Sequence, residues 1–293
     1  MKKMLFVLNP CAGLKKANKH LPEILSVFNR ANYDVLVHIT AGTGDGCDTV
    51  ARLAPDVDLV VCCGGDGTFN ETVNGVLRSG VNTPIGYIPA GSTNDFAASL
   101  RLPGGVLEAA WAIVNGNPHR YDVGSFDGRY FCYVASFGAF TRTSYATPQN
   151  VKNALGHTAY VLSGIQELSQ LRTTHMRLEL DDQVLEDDFL FGAVSNATSV
   201  GGVLSLDPRK VDMADGKFEL LLIRAPKDLA ELSACIQALQ SQKYNCRAIT
   251  FLSASRVRTV GAPMVNWTLD GERAEGRDVI EIQNIHHAIT IIH

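Results

Sequence analysis

The sequence predicts an α+β protein built from an α/β unit over residues 1–120 and a β-rich sandwich over residues 121–293. Three observations lead to this prediction: the length of 293 residues, the alternation of strand and helix patterns in the first part, and the frequent short strands in the second. At roughly 150 residues per domain, the length suits two domains. Hydrophobic residues make up 46% and charged residues 19%, which is typical of globular chains.

Charge and cysteine usage exclude several classes of protein. The 26 basic and 30 acidic residues give a net charge of -4, so no nucleic-acid partner is indicated. The seven cysteines are scattered without a C-x-x-C pair, which indicates neither a disulfide framework nor a zinc site. No apolar run approaches the ~20 residues of a transmembrane helix, and the first one is too short for a signal peptide. We therefore expect a cytoplasmic protein.

The first part alternates four short apolar runs with four helical patterns. Such strands, rich in Val, Ile and Leu without polar alternation, are typical of a parallel sheet covered on both faces. Strands are predicted at 4–8, 34–39, 59–63 and 85–88, and helices at 15–31, 45–54, 70–78 and 105–115. Ligands bind beyond the carboxyl ends of the strands in sheets of this kind.

Many short strands in the second part predict a sandwich of antiparallel sheets. These strands are predicted at 130–135, 176–180, 189–195, 218–223, 249–252, 255–259 and 279–283, with helices near 151–170 and 228–240. Three histidines, His286, His287 and His293, sit on a terminal strand without metal-ligand spacing. We interpret them as surface residues.

The strongest local motif is the segment 60–71, Val-Val-Cys-Cys-Gly-Gly-Asp-Gly-Thr-Phe-Asn-Glu. Its glycines let backbone N–H groups approach a phosphate, and the N-terminus of the following helix adds a positive field. Asp66 could hold a magnesium-bound phosphate. The simpler alternative is a plain β-to-α turn with Asp66 as the helix cap. The Walker pattern is absent, so a nucleotide would be held in this other way.

A second polar turn, Pro-Ala-Gly-Ser-Thr-Asn-Asp-Phe at 89–96, also follows a strand and opens a helix. Ser92, Thr93 and Asn94 offer hydroxyl and amide groups to a phosphate or ribose, although alone they suit a helix cap equally well. Two such turns on neighbouring strand ends favour a phosphate site.

Together these motifs resemble the diacylglycerol kinase and sphingosine kinase family of lipid kinases. The matching positions are Asn9, Pro10, Gly13, the segments 64–71 and 89–96, Pro208, Asp215, Gly216 and 269–272. They stand in the family's order over nearly the whole chain. Dinucleotide kinases and phosphofructokinases share the first glycine–aspartate turn, whereas the remaining motifs favour lipid kinases. The resemblance implies a fold of the diacylglycerol kinase and NAD kinase type.

The resemblance also implies an activity and a set of site residues. The enzyme would use ATP and Mg²⁺ to phosphorylate the hydroxyl of a diacylglycerol-like or sphingoid lipid. Glu272 would be the general base, and Asp66, Asp95 and Lys15 would belong to the catalytic and metal–water network. Nucleotide contacts would come from Asn9, Thr40, Gly64, Gly65, Asp66, Gly67, Thr68, Phe69, Asn70 and Ser92. A structural Mg²⁺ would be bound by Asp215 and by the backbone carbonyls of Asp212 and Lys217.

General chemistry is consistent with these roles and leaves alternatives open. Phosphoryl transfer to an alcohol needs a phosphate cradle, a divalent ion and an acceptor for the hydroxyl proton. Without the resemblance, Glu272 is a solvated turn carboxylate, and the segment 212–216 suits either a cation loop or a simple hairpin turn. The rival functions are an NAD kinase-like enzyme and a catalytically idle lipid or nucleotide sensor. Peripheral binding to the inner membrane face, a role in phospholipid biosynthesis and a homodimer complete the hypothesis.

Overall fold

A four-stranded parallel sheet forms the first part of the computed structural model, which describes residues 1–13, 16–138, 173–200 and 204–293. The strands lie in the order β4-β3-β1-β2, and all three pairings are parallel. They are β1 (Lys2–Leu8), β2 (Tyr33–Ile39), β3 (Leu59–Gly64) and β4 (Ile85–Pro89). The predicted parallel sheet is confirmed, and each strand lies within two residues of its predicted bounds.

Helices cover both faces of this sheet. They are α1 (Lys16–Lys19), α2 (Leu21–Arg30), α3 (Asp45–Leu53), α4 (Asp66–Ser79), α5 (Asp95–Ser99) and α6 (Val106–Asn115), with a 3-10 turn at Ala54–Asp56. Leu5 and Val7 of β1 pack in the core that contains side chains of α3 and α4. Met4 and Phe6 pack on the opposite face, in the core that contains side chains of α2 and α6. This burial of both faces explains why the strands carry unbroken apolar runs.

Two of the predicted helices differ from those observed. The helix predicted over 15–31 is interrupted at His20, because α2 begins at Leu21 and has Pro22 in its first turn. Proline suits a first turn but cannot continue a helix, since it has no N–H to donate. The helix predicted from residue 70 already begins at Asp66, where the Phe69 N–H donates to the Gly65 carbonyl at 3.0 Å. The predicted helix at 151–170 and Lys15 lie outside the described residues.

The second part is a β-sandwich, as predicted. Its elements are β5 (Pro118–Phe126), β6 (Arg129–Phe131), β7 (Val134–Gly138), β8 (Thr174–Leu180), β9 (Val184–Ser195), β10 (Ser199–Val200), β11 (Leu204–Ser205), β12 (Phe218–Arg224), α7 (Leu229–Gln240), β13 (Ile249–Ala254), β14 (Arg256–Val260), β15 (Trp267–Leu269), β16 (Glu272–Ala274) and β17 (Val279–Ile292). The first half of β9 pairs with β8, and its second half pairs with β7 and β12, so β9 runs through both layers. Phe131, Phe137, Phe218 and Trp267 belong to the core between the layers.

The long strand β17 joins the two parts of the chain. It pairs antiparallel with β14 and β5, and its end pairs parallel with β4 at Ile291 and Ile85. The predicted domain boundary at residues 120 and 121 falls inside β5 and stays a prediction. In the part of the chain that the structure describes, no helix is long and apolar enough to cross a bilayer.

Candidate active site

Two glycine turns meet at the carboxyl ends of β3 and β4. A Cβ atom on Gly91 would lie 2.5 Å from the Cα of Gly65, so at Gly91 only glycine allows this approach of backbone to backbone. The Ala90 N–H also donates to the Gly64 carbonyl at 2.7 Å. The structure therefore brings the turns predicted at 64–68 and 89–96 into direct contact.

The loop after β1 packs against both turns. Asn9 donates through Nδ2 to Thr68 Oγ1 at 3.0 Å, and its Oδ1 accepts from the Cys11 N–H at 2.9 Å. Gly13 has a φ of +49°, and a side chain there would collide with the Ala90 carbonyl oxygen. Backbone from three strand ends thus converges in one place, which is where ligands bind in open parallel sheets.

Asp66 and Asp95 open helices α4 and α5 and lie close enough to interact electrostatically. Asp95 is buried and accepts a hydrogen bond from Ser199 Oγ, while Asp66 Oδ1 accepts from the Phe96 N–H at 3.3 Å. Burial, together with the charge of Asp95, raises the pKa of Asp66 to about 6. Two carboxylates in a partly buried site repel each other when both are ionised, so a bound cation would stabilise the ionised pair.

Glu71 fixes the loop that follows β2 and begins with Thr40. Its carboxylate accepts from the N–H groups of Gly44 at 2.7 Å and Gly46 at 3.0 Å. Asp45 in the same loop accepts a hydrogen bond from the Ala41 N–H at 2.7 Å. This hydrogen bond, and a second one to the His38 side chain, lower the pKa of Asp45. The loop that carries Thr40 is thereby held against α4.

Asp270 connects the sandwich to the first part of the chain. Its Oδ2 accepts from the Cys132 N–H at 2.5 Å and from Asn70 Nδ2 at 2.8 Å, while its Oδ1 accepts from the N–H groups of Tyr133 and Val134, each at 3.0 Å. The carboxyl group is buried, and burial raises its pKa. Asn70, predicted as a nucleotide contact, is thus occupied in holding the β15–β16 hairpin against α4.

Glu272 follows a two-residue hairpin turn. Asp270 and Gly271 have φ values of +49° and +87°, and Leu269 pairs with Glu272 across the turn. An Asp-Gly pair with two positive φ angles is the preferred sequence for such a turn. Glu272 is 55% exposed, and its Oε2 lies 2.5 Å from Arg129 Nη2. Arg129 is 143 positions from Glu272, so no local sequence pattern predicts this contact.

The loop predicted to bind a structural Mg²⁺ is closed by its own hydrogen bonds. Asp215 Oδ1 accepts from the Lys217 N–H at 2.9 Å, and Asp212 Oδ1 accepts from the Ala214 N–H at 3.0 Å. The Lys217 carbonyl, one of the predicted ligands, accepts from Asn284 Nδ2 at 3.0 Å. All of the atoms predicted to bind the Mg²⁺ ion in this loop are oxygens.

Buried oxygens lie beside this loop without hydrogen-bond partners among the described residues. They include Glu219 Oε2 and Asn284 Oδ1. Burial, with the charges of Asp215 and Asp212, raises the pKa of Glu219 to about 8. Carboxylate and carbonyl oxygens are the ligands that Mg²⁺ prefers, and the unpartnered oxygens favour a cation nearby. The loop therefore fits the implied ion.

Other predicted site residues lie in different surroundings. The Phe69 ring is fully buried and stacks on Tyr87 and Phe96 with centroid distances of 4.6 and 4.4 Å, so the ring packs in the core and the predicted nucleotide contact would have to come from the Phe69 backbone. Ser92 is exposed on the second turn. Tyr133 is not among the predicted site residues. It is buried, and burial together with the charges of Asp270, Asp66 and Asp95 raises its pKa.

Comparison with known proteins places this arrangement in a family. The model of the diacylglycerol kinase catalytic domain matches residues 3–126, and that of the YegS C-terminal NAD kinase beta sandwich-like domain matches residues 134–292. The diacylglycerol kinase of Bacillus subtilis (strain 168) is 33% identical over 274 residues, which cover 93% of this chain and 90% of that protein. The diacylglycerol kinase of Staphylococcus saprophyticus is 33% identical over 233 residues, 79% of this chain and 75% of the relative.

Solved structures agree with this assignment. One from Bacillus anthracis str. Sterne superimposes with a TM-score of 0.83 at 25% identity and covers all of this chain and 95% of that one. A diacylglycerol kinase structure from the same organism has a TM-score of 0.77 at 22% identity, which shows the shared fold. By its motifs, its fold and its relatives, the chain belongs to the diacylglycerol kinase family.

Proposed function

We propose that this protein is an ATP- and Mg²⁺-dependent lipid kinase that phosphorylates the hydroxyl of a diacylglycerol-like or sphingoid lipid. The observation that carries the proposal is the meeting of two glycine turns beside the Asp66–Asp95 pair, in a chain of the diacylglycerol kinase family. The bond between Asn70 and Asp270 holds the hairpin that bears Glu272 against the same helix. This arrangement supplies a phosphate cradle, acidic groups for a cation and a candidate base.

The glycine turn and α4 would bind the phosphates of ATP. The missing side chains of Gly65 and Gly67 leave backbone N–H groups accessible, and the N-terminus of a 14-residue helix favours negative charge. Asp66 and Asp95 would hold Mg²⁺ directly or through water. When bound, Mg²⁺ supplies positive charge that neutralises the phosphate oxygens during transfer. Because the pKa of Asp66 is about 6, its carboxyl group is largely ionised at neutral pH and available to a cation.

Glu272 would accept the proton of the lipid hydroxyl. Arg129 binds its Oε2, which orients the carboxylate and leaves Oε1 to take the proton. The hydroxyl oxygen then forms a bond to the γ-phosphorus as the bond from that phosphorus to ADP breaks. The exposure of Glu272 suits an acceptor that arrives from outside the protein. We therefore place the reaction at the surface of a membrane, with a cytoplasmic enzyme that binds peripherally to its inner face.

A transfer assay with labelled γ-phosphate tests the proposal. The protein is incubated with ATP, Mg²⁺ and vesicles that contain either diacylglycerol or a sphingoid base, with NAD as a soluble acceptor in a parallel reaction. We expect label in phosphatidic acid or in a sphingoid phosphate, and none after EDTA is added. Label in NAD alone would support the NAD kinase-like rival. Bound ATP without any transfer would support the sensor.

A further inference from the structure

We propose that Asp122, His286 and His287 form a binding site for a divalent transition-metal ion such as Zn²⁺, separate from the proposed Mg²⁺ loop. One ligand atom from each residue lies within 4.8 Å of the other two. The site touches that loop through Gly216 and Met213 but contains none of the proposed nucleotide-binding or catalytic residues, so either proposal can fail without the other.

An irregularity in β17 brings the two histidines together. Adjacent residues of a regular strand point to opposite faces, which is why the sequence predicts no common site for them. The pairing of β17 with β5 shifts register between Ile285 and Ile289, and His287 has a φ of +53°. The two imidazole rings stack with their centroids 3.7 Å apart and an interplanar angle of 26°. A bulge thus places two consecutive side chains on one side.

The third ligand, Asp122, is buried and rigidly held. Its Oδ1 accepts from the His287 N–H at 2.7 Å, and its Oδ2 accepts from the Gly216 N–H at 2.7 Å. Its backbone N–H donates to the Met213 carbonyl at 2.9 Å. The carboxylate is therefore positioned before any ligand arrives, unlike an acidic group on a mobile surface side chain.

The distance between the first two ligands suits a metal ion. His286 Nδ1 lies 3.0 Å from Asp122 Oδ1. Two ligands that are each ~2.1 Å from a metal are about 3.4 Å apart at the tetrahedral angle typical of Zn²⁺ and about 3.0 Å apart at a right angle, so the pair would have to separate by at most about 0.4 Å. A metal could therefore replace the proton on Nδ1 with little movement of either residue, and this proton would leave to solvent on binding. The His287 ring is exposed, and one of its nitrogens lies within 4.8 Å of the other two ligand atoms.

The donor set determines the class of metal. Two imidazoles and one carboxylate favour Zn²⁺, Co²⁺, Ni²⁺ or Cu²⁺, whereas Mg²⁺ prefers oxygen ligands alone. The His286 side chain is 51% exposed, which leaves a path for the ion and room for a water ligand. Through the Gly216 N–H, the bound metal would also restrain the loop at 212–217.

Cobalt binding to the untagged full chain tests the site, with Mg²⁺ in excess. We expect one Co²⁺ per chain, displaced by Zn²⁺, with visible bands of nitrogen and oxygen coordination and without a thiolate charge-transfer band. His286→Ala and His287→Ala should each weaken binding by about tenfold or more. The matched control is His175→Gln, an exposed histidine that also lies beside two carboxylates, Asp188 and Glu186. Circular dichroism checks that each variant is folded.

Several outcomes would overturn the proposal. They are the absence of stoichiometric binding, an unchanged affinity in both folded alanine variants, a thiolate band in the Co²⁺ spectrum, or an equal loss of affinity in the His175→Gln control.

Discussion

Asp66 is partly buried beside the charge of Asp95, so its contribution to the free energy of unfolding should fall as the pH rises. Its pKa in the folded protein is about 6, above the ordinary value of about 3.9. The folded chain therefore keeps a proton that the unfolded chain has lost between about pH 4 and pH 6. In metal-free protein, the stability that this proton contributes is present at low pH and is lost as the pH rises through that window.

Asp66→Asn removes this titration. We expect the free energy of unfolding of the metal-free variant to fall less between about pH 4 and pH 6 than that of the wild type, as measured by urea denaturation. Asp34→Asn, an exposed change on β2, is the control and should follow the wild type. Equal slopes for all three proteins would show that the pKa of Asp66 is not raised.

Asp270 is a second residue with a measurable structural role. Its carboxylate accepts four hydrogen bonds in a buried place, and an asparagine would turn an NH₂ group toward at least one of these donors. We expect Asp270→Asn to lower the free energy of unfolding by about 1–3 kcal/mol. The control is the exposed change Asp278→Asn, which should stay within about 0.5 kcal/mol of the wild type. If Asp270→Asn also changes the free energy of unfolding by less than about 0.5 kcal/mol, the hydrogen bonds of Asp270 do not hold the hairpin in place.

Sequence motifs predict site residues well when the residues that define the motif are adjacent in the chain. They do not predict contacts between residues that are far apart in the sequence. Asp66 and Asp95 stand in turns that are recognisable on their own, and the structure brings them together. Arg129 is 143 positions from Glu272, and no local pattern predicts this contact. Asn70 and Phe69 are predicted as nucleotide contacts from their place in a motif. The motif does not show that the Asn70 side chain also bonds to Asp270 or that the Phe69 ring packs in the core.

Elements were predictable where burial imposed an unbroken apolar run. The parallel strands and α7 lie close to their predicted bounds, while β15 and β16 were missed because they have only three residues each. The strand β5 was also missed, because it begins with exposed Pro118, His119 and Arg120 and becomes apolar only later. The bulge in β17 could not be predicted, since it depends on pairing with a strand more than 150 residues earlier.

Contact between the two glycine turns can be tested at Gly91. A methyl group there would meet the Gly65 backbone at 2.5 Å, so the turns would have to separate. We expect Gly91→Ala to lower the free energy of unfolding by about 1–3 kcal/mol and to weaken nucleotide binding. Gly104→Ala, where a Cβ meets nothing within 4 Å, is the control. Unchanged nucleotide affinity in Gly91→Ala would show that the paired turns do not form the phosphate site.

The whole molecule should unfold as one unit because β17 belongs to both parts. Its pairing with β4, β5 and β14 means that loss of either part removes partners from the other. The chain has two tryptophans, Trp111 on α6 and the buried Trp267 in the sandwich. Trp111→Phe and Trp267→Phe each leave one reporter.

In each single-tryptophan variant, we expect the urea midpoint from fluorescence to coincide with the midpoint from far-ultraviolet circular dichroism. A reporter that changes at a clearly different urea concentration from the circular dichroism signal would indicate that the two parts unfold separately.

The substitution Glu272→Gln tests whether Glu272 accepts the lipid hydroxyl proton in the proposed kinase reaction. The control is Glu275→Gln, an exposed glutamate three residues further along the chain. With lipid vesicles, ATP and Mg²⁺, we predict that Glu272→Gln loses transfer of labelled phosphate by about 10²–10⁴-fold while nucleotide binding and the Glu275→Gln control stay near wild type. If Glu272→Gln forms phosphorylated lipid at the wild-type rate, Glu272 is not the base of the reaction.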